Sequence, residues 1–378
     1  MGGGNDRNAR LQQLAAASVG SVCDWAEKIC LIPAPSYEER ERAEFVAAAF
    51  DLVGLTAEID DMGNVITRRK GTGTAKSLMF AAHTDTVFPR GTEIKVTRTD
   101  TEMFGPAIGD NSLGVAGLLG LVGVLDEAGI ETPGDLLLIA NVGEEGLGNL
   151  RGIREMVDRF EGELGAVIAV EGHNVGRVTH AAVGSKRIRA TVYGPGGHSW
   201  GAFGQPSAIH ELGKIIAKIS ALKVPDDPKT TFNVGIIEGG VSVNTIAPKA
   251  SAIIDMRSVD PASLDRLASQ VEEIISSTKG DQIRTEIEVL GERPAGRVDP
   301  STKLVRVAGD ILRELGLEPE LNASSTDANI AISRGIPAIC VGLTQGGGAH
   351  RIEESIEIAP IKQGIAQLAM LAAAFPVG

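Results

Sequence analysis

A histidine and an aspartate, His83 and Asp85, directly follow the apolar run from Leu78 to Ala82. In an extended strand, side chains two positions apart leave the backbone on the same face, so both can reach one site. The apolar run is typical of a strand that is buried on both faces. Open α/β sheets bind ligands at the carboxyl ends of such strands. The stretch therefore predicts a polar site at a sheet edge, with His83 as a metal ligand.

Other acidic and histidine side chains stand in comparable places. Each follows an apolar segment or, for the last, closes a glycine-rich loop: Asp110, Glu144, Glu145, Glu171 and His350. Imidazole and carboxylate groups are ligands of zinc and similar divalent metals. Carboxylates gathered at one sheet edge would repel each other without cations, and two metals sharing one bridging carboxylate would satisfy that arrangement. Taken singly, the Glu144–Glu145 pair could be a solvated turn and Asp110 a helix-start residue, but the shared placement favours a joint site.

The elements that must position these residues predict the fold class. Strands that alternate with helical stretches predict an α/β fold with a mainly parallel sheet and helices on both faces. The segment 186–294 differs, because its strands and helices follow the order βαββαβ of a ferredoxin-like α+β unit. We therefore predict a catalytic domain formed by residues 1–185 and 295–378, interrupted by an inserted domain at 186–294.

Two local features at the N-terminus also carry predictions. Residues 1–10 are rich in glycine and polar side chains, and we predict that they are disordered. Ser36, followed by Glu38 and Glu39, has the pattern of a helix N-cap with acidic residues in the first turn.

The composition excludes several classes of protein. The chain has 378 residues, enough for two domains, and its net charge of −13 argues against a general nucleic-acid binder. The most apolar run, Leu113–Leu125, is too short to span a bilayer, so no membrane role is predicted. Three cysteines without a CxxC motif fit a reducing compartment, and we predict a cytoplasmic protein.

Eight short motifs together resemble one enzyme family. They cover nearly the whole chain: Ala82–Thr86, Gly109–Asn111, Gly143–Gly146, Val170–Gly172, Gly196–Ser199, Val243–Pro248, Asp255–Arg257 and Ala349–Glu353. In this order they resemble the dinuclear zinc metallopeptidase family that includes aminoacylase-1, carboxypeptidase G, succinyl-diaminopimelate desuccinylase and peptidase T. The peptidase T-like branch is the most similar in its His-Thr-Asp-Thr motif and general layout.

The resemblance implies a set of metal ligands. His83 and Glu171 would hold one ion, Glu145 and His350 the other, and Asp110 would bridge them. The ions would be two divalent metals, zinc first, with cobalt or manganese as alternatives. Ser112 stands where many relatives carry a lysine, which weakens assignment to a particular activity but not the bridge.

The resemblance also implies roles for residues around the metals. Glu144 would be the general base, and Asp85 would orient His83 through its second ring nitrogen. His198, in the inserted domain, would reach the active site of a partner subunit and stabilise the oxyanion. Asn244 would bind substrate, and Arg257 would either read a substrate carboxylate or form a structural ion pair with a neighbouring acid. The other histidines match no ligand position and are interpreted as structural: His173, His180 and His210.

The implied activity is metal-dependent hydrolysis of an amide bond. A small peptide cleaved by an exopeptidase is the first expectation, and an N-acyl amino acid cleaved by a deacylase or desuccinylase is the alternative. A non-catalytic metal-binding homologue would be expected to lack Glu144 or one of the ligands, and all of them are present. The inserted domain would act as a lid and join two chains in a homodimer.

Overall fold

The chain forms two compact units in the computed structural model, which describes residues 2–278, 280 and 282–374. The first unit comprises Met1–Ala182 and Arg297–Gly378, and the second, Val183–Gly296, is inserted between those two segments. Each unit has a hydrophobic core of its own. Separate cores of this kind allow parts of one chain to fold as domains.

The helices and strands follow one another along both units. The helices are α1 (Gly2–Cys30), α2 (Arg40–Leu52), α3 (Gly114–Glu127), α4 (Arg151–Phe160), α5 (Ala208–Ser220), α6 (Pro261–Ser276), α7 (Lys303–Glu314), α8 (Ala328–Ser333) and α9 (Ile361–Ala374). The strands are β1 (Ala57–Ile59), β2 (Val65–Arg69), β3 (Ser77–His83), β4 (Thr97–Arg98), β5 (Glu102–Phe104), β6 (Leu136–Asn141), β7 (Leu164–Glu171), β8 (Arg177–Ala182), β9 (Gly184–Tyr193), β10 (Thr230–Gly239), β11 (Lys249–Ser258), β12 (Arg284–Arg293), β13 (Gly296–Arg297), β14 (Glu320–Ser324), β15 (Ala338–Gly342), β16 (Gly346–Gly347) and β17 (Ser355–Glu357).

The first unit is built around a mixed sheet with the strand order β1-β2-β6-β3-β7-β15-β8, and β14 pairs with β8. Its centre is parallel, because β3 pairs in parallel with β6 and β7, and β7 pairs in parallel with β15. Antiparallel pairs flank this centre, β2 with β6 on one side and β15 with β8 on the other. The predicted α/β class is confirmed, and the sheet is parallel in its centre rather than throughout.

Burial explains why the central strands have continuous apolar sequences. Every residue of β3 and of β6 is buried. Helix α1 packs against α3 and α9, α3 packs against β3 and β7, and α8 packs against β7 and β15. Strands covered in this way need apolar side chains on both faces. Because β3, β6, β7 and β15 run in parallel, their carboxyl ends meet at the same edge of the sheet.

The second unit is an antiparallel sheet with the strand order β10-β11-β9-β12. Its elements follow the sequence order β9, α5, β10, β11, α6, β12, so the predicted ferredoxin-like βαββαβ arrangement is confirmed. Alternate residues of β11 are buried against α5 and α6, as expected for a strand with one covered face. Strand β10 forms one edge of this sheet.

Residues 2–10 are helical, contrary to the prediction of disorder for residues 1–10, of which Met1 lies outside the described residues. Helix α1 begins at Gly2. Arg7 donates a hydrogen bond to the main-chain oxygen of Ala373 in α9, and Asn8 donates to the carboxylate of Glu314 in α7. Contacts with helices more than 300 residues away in sequence order this segment, and local composition does not reveal them.

Among the residues that the structure describes, one helical stretch, Ile108–Glu127, is long and apolar enough to cross a membrane by length and composition. Of the most apolar segment of this stretch, 18 residues long, 89% is buried inside the fold. Helix α3 makes up most of this stretch and packs against α1 and the central strands β3 and β7. Its apolar character is therefore accounted for by its place in the core of the first unit.

Candidate active site

The carboxyl ends of the central strands bring most of the predicted site residues together in the first unit. His83 is the last residue of β3, and Glu171 is the last residue of β7. Glu144 and Glu145 lie in the loop after β6, and Asp110 lies in the wide turn that precedes α3. The strand ends thus place imidazole and carboxylate groups at one edge of the sheet, as expected for a site in an open α/β sheet.

Asp110 lies between the two histidines of the site. Its Oδ1 is 3.1 Å from Nε2 of His83, and its Oδ2 is 3.2 Å from Nε2 of His350. His83 Nε2 is also 3.6 Å from a carboxylate oxygen of Glu171, and His350 Nε2 is 3.3 Å from one of Glu145. Two groups of three potential ligands share Asp110, and a third group joins His83, Glu144 and Glu145. The ligand atoms of each group lie within 4.8 Å of one another.

These residues fit two divalent cations by their chemistry. Each group offers one imidazole nitrogen and two carboxylates, a donor set typical of zinc and related metals. Among the described residues, the ion pairs that Asp110, Glu145 and Glu171 form are with the two histidines rather than with lysine or arginine. The cluster therefore has an excess of negative charge that cations would neutralise.

The pKa values of the cluster reflect the same excess. Hydrogen bonds to Asp110 and Glu145 raise the pKa of His350 to about 10. Burial lowers the pKa of His83, but the charge of Glu171 and the hydrogen bond to Asp110 outweigh it and hold that pKa well above its usual range. Burial raises the pKa of Glu145 and of Glu171. Carboxylates crowded at one place favour a positive charge beside them, and a bound metal ion would supply that charge.

Asp85 lies behind His83 and is fully buried. Nδ1 of His83 is 3.1 Å from the main-chain oxygen of Asp85 and 3.5 Å from its carboxylate, so the nearer partner is the main chain rather than the predicted side chain. The carboxylate instead accepts hydrogen bonds from the main-chain N–H groups of Glu144 and Glu145, both at 2.9 Å. Asp85 therefore positions the loop that carries both glutamates.

Ser36 is a site residue whose position the sequence pattern did not reveal. Helix α2 begins at Arg40, with Glu39 at the N-cap position, so Ser36 does not cap it. Its hydroxyl instead donates a hydrogen bond of 2.6 Å to the carboxylate of Asp85. The two residues are 49 positions apart, and no motif links them.

A further carboxyl group, Asp327, is buried near the site. It accepts a hydrogen bond of 2.8 Å from the amide of Asn141, the last residue of β6. Burial, followed by the nearby charge of Glu144, holds the pKa of Asp327 well above its usual range. No periodicity in the sequence marks this aspartate, because it lies between a strand end and the short helix α8.

His198 and Asn244 lie side by side in the second unit. The main chain at His198 forms a bridge with Thr245, and the N–H of Ser199 donates to the main-chain oxygen of Asn244. Nδ1 of His198 accepts hydrogen bonds from the N–H groups of Trp200 and Gly201. In the neutral imidazole the proton is then on Nε2, which leaves the exposed edge of the ring as a hydrogen-bond donor.

Arg257 also belongs to the second unit, but it lies at the other end of the sheet. It is close to the last residue of β11 and pairs with Ser185 near the start of β9, whereas His198 follows the end of β9. Its Nε donates a hydrogen bond of 2.7 Å to Asp255, which also accepts from Arg187. The structural ion pair with a neighbouring acid, one of the two roles predicted for Arg257, is therefore present.

Comparison with known proteins relates this site to a family. The family model described as peptidase family M20/M25/M40 matches residues 79–374, which include all five predicted metal ligands. The chain belongs to this family. Its M20 relatives are metal-dependent hydrolases, either peptidases or deacylases, and the resemblance inferred from the motifs is confirmed.

Individual proteins are similar to this chain over most of its length. The protein YqjE of Bacillus subtilis, described as uncharacterised, is 27% identical over 365 residues, covering 90% of this chain and 94% of its own. A succinyl-diaminopimelate desuccinylase of Corynebacterium glutamicum is 26% identical, covering 89% and 91%. The structure of aminopeptidase PepT from Bacillus cereus has the same fold, with a TM-score of 0.78, 22% identity and coverage of 94% and 98%.

Proposed function

We propose that this M20 hydrolase is an exopeptidase that cleaves an amide bond of a small peptide, with Glu144 as the general base. The observation that carries the proposed hydrolytic chemistry is the sharing of Asp110 between two groups of potential ligands. The carboxylate of Glu144 lies within 4.8 Å of ligand atoms of His83 and Glu145, so it can act on a water held in the same cluster. Glu144 is 7% exposed, which limits its contact with bulk solvent.

The proposed metal ligands fall into the two groups. His83, Asp110 and Glu171 would hold one ion, and Asp110, Glu145 and His350 would hold the other. Zinc is the first choice for this donor set, with cobalt or manganese as alternatives. Divalent ions bound there would polarise the scissile carbonyl group and lower the pKa of a bound water.

Glu144 would carry the proton through the reaction. Its carboxylate takes a proton from the attacking water as the new carbon–oxygen bond forms, and then passes that proton to the amide nitrogen as the carbon–nitrogen bond breaks. The hydrogen bond from its main-chain N–H to Asp85 supports this role, because it fixes the backbone beside the cluster. The products are a carboxylic acid and an amine, so no other reactant is needed.

His198 would stabilise the negative charge that develops on the carbonyl oxygen. The hydrogen bonds accepted by its Nδ1 favour a proton on Nε2, the state required to donate to an oxyanion. Asn244 lies beside it and accepts a hydrogen bond from Ser242 through its Oδ1, so its amide N–H groups remain oriented as donors for a substrate.

Arg257 would bind a terminal carboxylate of the substrate. Its Nε contact with Asp255 supports this role as well as a structural one, because it fixes the plane of the guanidinium group. The similarity to a desuccinylase favours a second candidate function, deacylation or desuccinylation of an N-acyl amino acid. Both reactions cleave an amide bond, and they differ in which end of the substrate the protein binds.

The spacing within the second unit favours a homodimer with shared sites. Strand β11 has ten residues and extends about 30 Å, with Arg257 near its end and Asn244 before its start. A small substrate cannot span that distance, so His198 and Asn244 would act in the site of a second chain. The edge strand β10 exposes Ile236 and Ile237, a surface suited to pairing with another copy.

A cytoplasmic location is part of the proposal. Cys23, Cys30 and Cys340 are all buried and none forms a disulfide. Free thiols in the core are usual in a reducing compartment.

A glutamine variant tests the role of Glu144. We expect Glu144→Gln to bind the same number of metal ions as the unmodified protein and to lose activity by a factor of about 100 to 10,000, because it removes the proton acceptor without changing shape. Elemental analysis and peptide hydrolysis measure the two properties. Glu131→Gln, at an exposed loop position, is the matched control. Wild-type rates in Glu144→Gln would disprove the base assignment.

A substrate panel distinguishes the two candidate functions. Short peptides with free or blocked termini are compared with N-acetyl and N-succinyl amino acids, each in the presence of Zn²⁺, Co²⁺ or Mn²⁺. An exopeptidase should cleave peptides with a free terminus and reject those in which that terminus is blocked. Faster cleavage of the N-acyl amino acids would favour the deacylase instead. Failure of all of them, with metal bound, would contradict both functions.

A further inference from the structure

A further buried carboxylate, Glu354, lies against the loop that carries Asp110. Its Oε1 accepts hydrogen bonds of 2.8 Å from the main-chain N–H groups of both Gly109 and Asp110, and its Oε2 accepts one of 3.0 Å from Ala107. Its main-chain oxygen also accepts from Gly105. Glu354 is fully buried, so these bonds replace its contacts with water.

His173 is the fourth partner of the same carboxylate. Its Nε2 is 2.8 Å from Oε1 of Glu354, and it lies two residues after Glu171 at the end of β7. Glu354 itself lies four residues after His350. The carboxylate therefore joins the loop that carries Asp110, the segment just after Glu171 at the end of β7, and the loop that carries His350.

The glycines around this contact show how closely the loops approach. A Cβ atom at Gly109 would lie 2.3 Å from Nε2 of His173 and 2.8 Å from Oε1 of Glu354. A Cβ atom at Gly346 would lie 2.9 Å from the His173 ring. A side chain at Gly109 would push the histidine or the carboxylate away. One at Gly346 would also meet the main-chain oxygen of Ser355, 2.2 Å from its Cβ, so both close approaches require glycine.

We propose that Glu354 and His173 are positioning residues that hold Asp110 in place to bridge two metal ions. This inference rests on the proposed two-metal function and adds two residues that touch neither the metals nor the substrate. Asp110 must present one oxygen towards His83 and the other towards His350. The hydrogen bond from its main-chain N–H to Glu354 fixes its backbone for that purpose. Residues that form hydrogen bonds with a metal ligand commonly determine how tightly the site binds the metal.

A carboxylate is well suited to this position. Its two oxygens can accept several hydrogen bonds at once, and every partner of the Glu354 side chain described above is an N–H group. An amide in its place has one acceptor end and one donor end. The donor end would then face an N–H group, so at least one loop would move.

The test compares metal affinity in three variants. Glu354→Gln is the test variant, and Glu357→Gln, an exposed glutamate of β17, is the matched control. Affinity for Zn²⁺ is measured by competition with a chelator, and the visible spectrum of the Co²⁺-loaded protein reports ligand geometry. We expect Glu354→Gln to bind both ions about 10- to 100-fold more weakly and to change the Co²⁺ spectrum, while Glu357→Gln matches the wild type. Glu354→Asp, which keeps the charge but is shorter, should recover only part of the affinity.

A pair of His173 variants decides the question if Glu354→Gln does not fold. His173→Gln keeps an N–H donor for Glu354, whereas His173→Leu does not. We expect weaker binding of both ions in His173→Leu and recovery in His173→Gln. Unchanged affinity in folded Glu354→Gln, or equal affinities in the two His173 variants, would overturn the inference. If the wild type binds no metal, the proposed function itself fails instead.

Discussion

The carboxylate of Asp85 joins three parts of the chain beneath the proposed metal ligands. One oxygen accepts from the N–H of Glu144, and the other accepts from the N–H of Glu145 and from the hydroxyl of Ser36. The main-chain oxygen of the same residue contacts Nδ1 of His83. A single buried residue thus positions the proposed base and two proposed ligands, one on each side of Asp110.

Replacing this carboxylate by an amide should disturb the site without leaving a cavity in the core. In Asp85→Asn, the donor end of the amide faces one of the N–H groups of Glu144 and Glu145, so their loop must shift. We expect kcat to fall about 10- to 100-fold, with a loss of metal affinity, measured by steady-state kinetics and chelator competition. Ser36→Ala leaves both main-chain bonds in place and should cost much less. Equal effects of the two substitutions would contradict this account.

At the scale of the elements, Asp135 connects the start of β6 to β2 and to the loop after it. Its carboxylate accepts from the N–H of Gly71, from Arg68 and from Lys70. Burial raises its pKa, but these partners outweigh burial and lower the pKa from 3.8 to about 2. The ionised form is therefore favoured in the folded state. Its stabilising effect is complete above pH 3.8 and is lost as the pH falls towards about 2.

An asparagine at position 135 tests this connection. We expect Asp135→Asn to lower the free energy of unfolding by about 1–3 kcal/mol at pH 7, and the difference from wild type to shrink at pH 3. Urea denaturation at pH 7 and at pH 3 measures the free energy of unfolding of both proteins. Asp126→Asn removes a more exposed partner of Arg69 on the same strand and should cost only about 0–1 kcal/mol. A difference that grows on acidification would contradict the pKa assignment.

The sequence predicts the elements best where burial determines the pattern. Strands β3, β6 and β7 are continuous apolar runs that stop at polar residues, so both the strands and the site at their ends could be inferred. Contacts between segments that are distant in the chain produce no such pattern in the sequence. The sequence pattern predicts a helix cap at Ser36 and a structural role for His173, because their partners, Asp85 and Glu354, are 49 and 181 positions away.

At the scale of the whole molecule, the second unit separates two sets of proposed substrate-binding residues. Arg257 lies at the end of the sheet where β9 begins, since it pairs with Ser185, the second residue of that strand. His198 and Asn244 lie at the opposite end. If each active site uses both sets, a single chain does not contain a complete site, and activity requires two chains.

Mixing two inactive variants tests whether sites are shared. Glu144→Gln lacks the base and His198→Ala lacks the oxyanion donor, so each alone should be nearly inactive. When they are co-expressed, about half of the dimers hold one of each chain and have one intact site, which predicts about a quarter of wild-type activity. Adding Ile237→Lys to both chains should abolish the recovery by separating the dimer, whereas Leu52→Lys, at an exposed position of α2, should not. No recovery in a mixture proven to contain mixed dimers would mean that His198 acts within its own chain.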